Sequence, residues 1–421
     1  MKIFKFGGAS VNSVERIKNL KHIVQSYQQD PLVIIVSAMG KTTNGLEKVV
    51  QAFYKGNKNE ALQLFEVVKN QHLTTAKYLL VFQYNACVAQ LNDFFTEVEW
   101  LLHDKPVRSY DYYYDQIVCT GELFSTCLIS HFLNEEKVEN QWLDVRDLLR
   151  TDNNFRDAGV VYDYSATRIK EAINGYKGNI TITQGFIGAT DDNESTTLGR
   201  EGSDYTAAIF ANILDAESLT IWKDVEGVMN ADPKAFPDAA LIHALNFTEV
   251  IEMAYYGAQV IHPKTIKPLQ NKGIPLLVKC FLNPALPGTV IHDKHIKDLP
   301  AIIVVKADQV LMSLKTKDFS FIGEAPMSQL YEMFGLVKIK PNLIQTGAIQ
   351  LQLCLDNHEE KIDQLASACS QLFDVQIEKQ LNLLTIRHYN EPIMLQLFAG
   401  KDILLEQKTK ETIQCVYRNK A

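Results

Sequence analysis

The sequence predicts a chain in two parts: an α/β domain over residues 1–292, with a mainly parallel sheet sandwiched by helices, then an α+β region over 300–421. Two observations carry this reading. Short, uniformly apolar runs of strand length recur from Ile3 to Val278 between stretches of helical periodicity, as strands buried on both faces require. From about Leu299 the order changes to strand, helix, strand, strand, helix, strand, a ferredoxin-like βαββαβ. The length of 421 residues fits two to three domains at ~150 residues each.

In chain order, Ile3, Phe4 and Phe6 form the first strand, which stops at Gly7-Gly8, with Ser10 where a following helix would be capped. Leu32–Val36 is the second strand, followed by a polar loop from Ser37 to Asn44. The stretch from Asn44 to about His103 is helical by periodicity, broken near Gly56, and reads as a cap on one side of the sheet. Tyr110 to Asp115 reads as a packed connection, and Cys119-Thr120-Gly121-Glu122 opens a helix to about Asn134. Trp142–Val145, Ile180–Thr183, Leu219–Trp222 and Ile274–Val278 continue the strands, with helices at Tyr164–Asn174, Ala207–Leu214 and Phe247–Tyr256. In the last part the strands are Val310–Thr316, Leu336–Lys340, Ile349–Leu355 and Asn382–Arg387, around helices Ser328–Phe334 and Glu359–Phe373. Met394–Leu397, Ile403–Glu406 and Ile413–Val416 look like a second, shorter copy. An incomplete copy leaves an unpaired strand edge, to be covered by a partner chain or left to solvent.

Composition excludes several classes. With 46% hydrophobic and 22% charged residues the chain can bury large cores. Its 42 basic and 50 acidic residues give a net charge of −8, which argues against a general nucleic-acid or anionic-membrane surface. No uninterrupted apolar run nears the ~18 residues of a membrane span. The N-terminus enters a strand at once, without the apolar core of a signal peptide, so the expected location is cytoplasmic. Seven cysteines, widely spaced and without a C-x-x-C pair, give no expectation of a disulfide framework or a zinc site.

Two loops carry chemistry. Gly7 and Gly8 let backbone N–H groups approach an anion, and Lys5 can set a compact positive charge on a phosphoryl group held there. Thr196 to Asp204 concentrates glycines, hydroxyls, Arg200 and Asp204 just before a helix; arginine suits a carboxylate or phosphate through its planar fork. Ser203 or Asp204 could be a simple N-cap, which leaves Arg200 and the glycines unexplained. Glu122, in the first turn of its helix, could compensate the dipole, and a functional role would need a partner cation elsewhere. No G-x-x-x-x-G-K-[ST] pattern occurs, so a Walker-type nucleotide site is excluded.

Taken together, KFGGASV at 5–11, GE at 121–122, TTLGREGSDYTAA at 196–208, IWKDVEGVMNADP at 221–233, EMAYYGAQVIHP at 252–263 and IPLLVKCFLNPALPGT at 274–289 resemble the aspartate kinases of the amino-acid kinase superfamily. The resemblance implies ATP-dependent phosphorylation of the side-chain carboxylate of L-aspartate, the first step of lysine, threonine and methionine synthesis. It places Lys5, Gly8 and Asp204 in the catalytic machinery. It puts Ser37, Thr43, Glu122, Arg200 and Ser203 on the substrate side, with Glu122 meeting the amino group and Arg200 a carboxylate. It sets Lys5, Gly7, Gly8, Ser10, Lys223, Asp224, Met229, Lys234 and Gln259 against the nucleotide. Mg²⁺ is implied with ATP, with no protein metal cage. The chain departs from the family pattern at Ala9 (usually threonine), Glu201 (glycine) and Gln259 (commonly lysine). Residues 300–421 resemble paired ACT modules, the second shortened, and imply a homodimer formed through them. A kinase of another small acid and a non-catalytic amino-acid sensor remain the alternative readings. No second dinucleotide-binding half follows within these residues.

Overall fold

The computed structural model describes residues 1–258 and 260–420. They fall into two units: Met1–Val228, Leu241–Ile251 and Val260–Ile296 form one, and the described parts of 229–240, 252–259 and 297–421 form the other.

In the first unit, β1 (Lys2–Phe6) leads through a 3-10 turn at Gly8–Val11 into α1 (Val14–Gln25). The cap of α1 is Ser13, whose hydroxyl accepts the Arg16 N–H at 3.3 Å. Ser10 is not the cap, because the 3-10 turn delays the helix; its hydroxyl instead donates to the Trp222 carbonyl. Next come β2 (Leu32–Val36), α2 (Thr42–Tyr54), α3 (Lys58–Leu79), α4 (Tyr84–His103), α5 (Tyr110–Val118) and α6 (Thr120–Glu135). The tyrosine-rich run expected as a connection is α5, started by Ser109 accepting the Tyr112 N–H. By length and composition 110–135 could cross a bilayer, yet 89% of its most apolar window is buried within the protein. α5 and α6 follow one another through the single residue Cys119, which keeps helical dihedrals, and together they form a core helical segment. α2 packs on α3 and α5, α3 on α4, and α4 on α6. Phe65, Phe95 and Phe124 interlock edge to face between α3, α4 and α6.

The chain continues through β3 (Asn140–Trp142), which ends before the expected Val145 at a further 3-10 turn, and α7 (Tyr162–Asn174). There follow β4 (Ile180–Gln184), the short hairpin β5 (Ile187–Ala189) and β6 (Ser195–Thr197), α8 (Gly202–Ile213), β7 (Ser218–Lys223), β8 (Ala244–Asn246), α9 (Phe247–Tyr255), α10 (Pro263–Gln270), β9 (Leu276–Cys280) and β10 (Thr289–His292). The main sheet runs β3-β4-β2-β1-β7-β9-β10-β8. It is parallel from β3 to β9, and β10 turns antiparallel to β9. β1 sits at its centre, and Phe4, Phe6, Trp222 and Phe281 form one aromatic cluster there. The polar loops after β1, β2 and β7 therefore share one edge, where open α/β sheets hold ligands.

The second unit contains β11 (Ile302–Thr316), α11 (Glu324–Val337), β12 (Leu343–Thr346), β13 (Gln350–Asp356), α12 (Glu359–Cys369), β14 (Phe373–Arg387), α13 (Glu391–Phe398), β15 (Lys401–Lys408) and β16 (Thr412–Asn419). The strand expected at Leu336–Lys340 does not form. Leu336 and Val337 finish α11, Lys338 ends it in the left-handed region, and the strand begins at Leu343. A short apolar run does not distinguish a helix end from a strand.

All six strands make one antiparallel sheet, β12-β13-β11-β14-β16-β15. β11 and β14 are each 15 residues long and serve two halves. The later part of β11 pairs with β13 and with the start of β14. Its first part, Ile302 to Lys306, pairs with the end of β14, which pairs in turn with β16. Each half thus has four strands in the same order. The second half lacks no strand: β11 supplies the one expected to be missing, and the shortfall is a helix. The first half buries Met312, Leu353 and Leu355 under α11 and α12, whereas the second buries Ile386, Ile413 and Cys415 with α13 alone.

Candidate active site

A cleft of 580 Å³ opens at the strand-loop edge of the first unit. Nine of the residues singled out in the sequence line it: Lys5, Gly8, Ser37, Thr43, Glu122, Arg200, Ser203, Asp204 and Lys223. They arrive from β1, the β2–α2 loop, the first turns of α6 and α8, and the end of β7.

Lys5 and Asp204 are both buried and lie 2.6 Å apart as an ion pair. The approach is too bent to count as a hydrogen bond, and Asp204 Oδ1 has no hydrogen-bond partner. Glu122 is 4% exposed, and its Oε2 is also unpartnered. Burial pushes its carboxyl up to about 8, against the Ala38 N–H and the Lys5 charge, which pull it down. The Asp204 carboxylate and the Glu122 carboxyl, buried in one cleft with an oxygen free of hydrogen bonds on each, are built for a cationic or hydrogen-bond-donating ligand. Ser37 is fixed by the Ser125 hydroxyl, which donates to its carbonyl at 2.8 Å. Gly8 must be glycine, because a Cβ there would stand 2.6 Å from the Ala38 carbonyl oxygen.

The Gly199–Ser203 turn is wound tightly. Gly199 and Glu201 take φ of +76° and +54°, and Glu201 precedes α8 in the left-handed region. A glycine is the unstrained residue there. Glu201 lines the cleft, and its carboxylate accepts the His262 N–H at 2.9 Å. Arg200 is exposed at the rim.

Other expected residues are not brought to the cleft. Gly7, Ser10, Asp224, Met229 and Lys234 do not line it, and Met229 and Lys234 belong to the second unit. Lys223 does line it, and its ammonium donates to the Val260 carbonyl at 2.7 Å. Gln259 lies outside the described residues.

The sequence reading gave no individual role to Tyr114, Arg156, Phe186 or Thr197, which line the cleft. Arg156 has φ of +69° and Phe186 +70°, in a backbone region that costs such residues about 1 kcal/mol. The Arg156 guanidinium lies 4.4 Å over the Tyr114 ring and 3.1 Å from Asp111 Oδ1. Buried Asp115 braces this wall, accepting the Arg156 N–H, the Thr197 N–H and the Thr197 hydroxyl at 2.7–2.9 Å. Burial raises its carboxyl to about 6. The one signal for Arg156 was its place four residues after Asp152 in a polar, turn-rich run.

The amino acid kinase family matches residues 1–280, and the chain belongs to that family. Within it, lysine-sensitive aspartokinase 3 of Escherichia coli is 30% identical over 362 residues, covering 84% of this chain and 78% of that protein. A chloroplast bifunctional aspartokinase/homoserine dehydrogenase of Zea mays is 31% identical over 293 residues, covering 69% of this chain. The chain spans only 32% of that longer relative. The crystal structure of E. coli aspartokinase III with aspartate and ADP superposes with a TM-score of 0.82 at 25% identity, covering 99% of this chain and 96% of the other.

Proposed function

We propose that this protein transfers a phosphoryl group from ATP to the side-chain carboxylate of L-aspartate, giving 4-phospho-L-aspartate. The observation that carries the reading is the buried Lys5–Asp204 pair beside the unpartnered Glu122 carboxylate, in a cleft rimmed by Arg200. The E. coli relative bound to aspartate and ADP supports it. An aspartate carboxylate is already ionised near neutral pH, so attack on phosphorus needs no protein base. What the reaction needs is in-line positioning and neutralisation of charge on the transferred group.

Glu122 receives the substrate ammonium, Arg200 takes a carboxylate, and Ser37, Thr43 and Ser203 orient the acid by hydrogen bonds. Lys5 neutralises the moving phosphoryl group, and Asp204 holds Lys5 in place. Mg²⁺ accompanying ATP would further offset phosphate charge. Asp204 is the cleft carboxylate fitted to face it; the only cluster of three metal-ligating groups found among the described residues lies elsewhere, so the ion would be held chiefly by phosphates.

The chain is further proposed to form a homodimer, in part through residues 300–421, where β12 and β15 present open sheet edges. Light scattering of the purified protein measures this directly, and a monomer mass would reject it.

The deciding experiment is an ATP-dependent hydroxamate assay offering aspartate, glutamate and N-acetylglutamate side by side. Turnover confined to aspartate is expected. Preference for another acid would change the substrate, and nucleotide binding without turnover on any of them would leave a sensor.

A further inference from the structure

Away from the cleft, α4 and α6 bring together three soft donors. Cys127 and His131 are four apart on α6, so they share one face of the helix. Cys87 on α4 stands opposite, and its thiol, the Cys127 thiol and one His131 ring nitrogen all lie within 4.8 Å of one another. α4 also directs Gln83 and Gln90 at the same imidazole: their side-chain oxygens lie 3.2 Å from Nδ1 and 3.0 Å from Nε2.

As a purely packed interior, this arrangement leaves two things poorly satisfied. The Cys127 thiol donates to the Cys87 carbonyl at a long 3.9 Å and lies against the Cys87 thiol. A neutral imidazole has one N–H, so it cannot donate to both amide oxygens. A dication between the sulfurs resolves these conflicts together. It stabilises both thiolates, uses one ring nitrogen as a ligand, and leaves the other to donate to a glutamine oxygen.

We propose that Cys87, Cys127 and His131 form a binding site for a single thiophilic divalent metal ion, zinc by the chemistry of the donors, with one of the two glutamine oxygens completing the coordination. Two sulfurs and an imidazole are a donor set that selects zinc over magnesium or calcium. Zn–S and Zn–N lengths of ~2.3 and ~2.0 Å put tetrahedral donors roughly 3.5–3.8 Å apart, so the three donor atoms, now within 4.8 Å of one another, must draw together by up to about 1 Å on binding. Cys87 and Cys127 are fully buried and His131 partly exposed, so the imidazole side is the entry path. Binding replaces each S–H proton by a metal–sulfur bond and releases the two protons to solvent. No oxidant or reductant is involved. The site is separate from the cleft and does not depend on the proposed reaction.

The test is titration of the full-length, chelator-treated protein with Zn²⁺ in competition with a chromophoric chelator, repeated with Co²⁺ as a spectroscopic probe. The expected result is one equivalent bound, with a near-ultraviolet thiolate-to-cobalt band and the visible absorption of tetrahedral cobalt. Cys127→Ser and His131→Ala should each lose the equivalent and the bands, while Cys369→Ser, a buried cysteine on α12, keeps both. No stoichiometric binding by the unmodified chain would overturn the proposal whatever the variants do. So would full retention of the metal by a folded Cys127→Ser protein, with folding judged by circular dichroism.

Discussion

At the end of the cleft proposed to hold aspartate and the moving phosphoryl group, Lys5, Glu122 and Asp204 are buried side chains rooted in β1, α6 and α8. At the end assigned to nucleotide, Lys223 is only partly buried and Asp224 is exposed; Asp224, Met229 and Lys234 do not line the cleft. The contrast separates two kinds of binding. Groups fixed before the substrate arrives can act selectively on the transition state, whereas exposed groups on loops contribute mostly uniform affinity. Losses at the first end should therefore fall on kcat or on aspartate, and losses at the second on nucleotide affinity alone.

The largest effect is expected for Lys5→Met, with kcat lowered by about 10²–10³-fold and ADP binding retained. Near-normal turnover in the folded variant would erase the distinction between the two ends. Arg200→Ala should raise KM for aspartate by about 10–100-fold, the scale of a lost charge-assisted hydrogen bond. Calorimetric titration with ADP is the check: a collapse of ADP affinity with aspartate affinity intact would move Arg200 to the nucleotide end.

Glu122 supplies a pH test. Its carboxyl keeps its proton up to about 8 in the free protein, and a substrate ammonium needs the carboxylate. Aspartate affinity should accordingly rise with pH toward that value, by up to about tenfold per unit, and level off above it. Glu122→Gln should bind aspartate weakly with a flat profile. The stability consequence has the opposite sign. An unfolded glutamate loses its proton near ~4.3, so between there and about 8 the folded state binds more protons and stability falls as pH rises. Glu122→Gln removes that decline, and thermal melts across the range would show it.

The smallest effect belongs to Arg156→Gly. Its guanidinium is half exposed and already paired with Asp111, so KM for aspartate should rise by no more than about fivefold. Stability should hold or improve, because glycine suits φ of +69°. A larger loss of activity would make Arg156 part of the fixed machinery.

The same division explains what could be read from residues alone. Lys5 sits near a strand end, Glu122 and Asp204 in first helical turns and Arg200 in the glycine turn before α8, positions marked by nearby glycines and hydroxyls. Arg156 and Thr197 reach the cleft through Asp115, a contact made across 41 and 82 residues of sequence, and nothing local announces it. Met229 and Lys234 matched a pattern in sequence while their segment packs with the other unit. The parallel sheet was legible because its strands are continuous apolar runs. Ser10 as a cap and Leu336–Lys340 as a strand failed where a one-turn shift decides the structure.

The two 15-residue strands of the second unit bear on how the chain is made. Ile302 pairs with Arg387, and Arg387 with Thr412, so the first residue of β11 waits for more than 80 others before it has a strand partner. A chain emerging from the ribosome can complete the earlier half of that sheet while the later half is still absent. Until β16 arrives, the end of β14 has β11 on one side and an open edge on the other, a surface through which nascent chains mispair. Closure of long sequence loops is also slow, which points to this seam as the last step of folding.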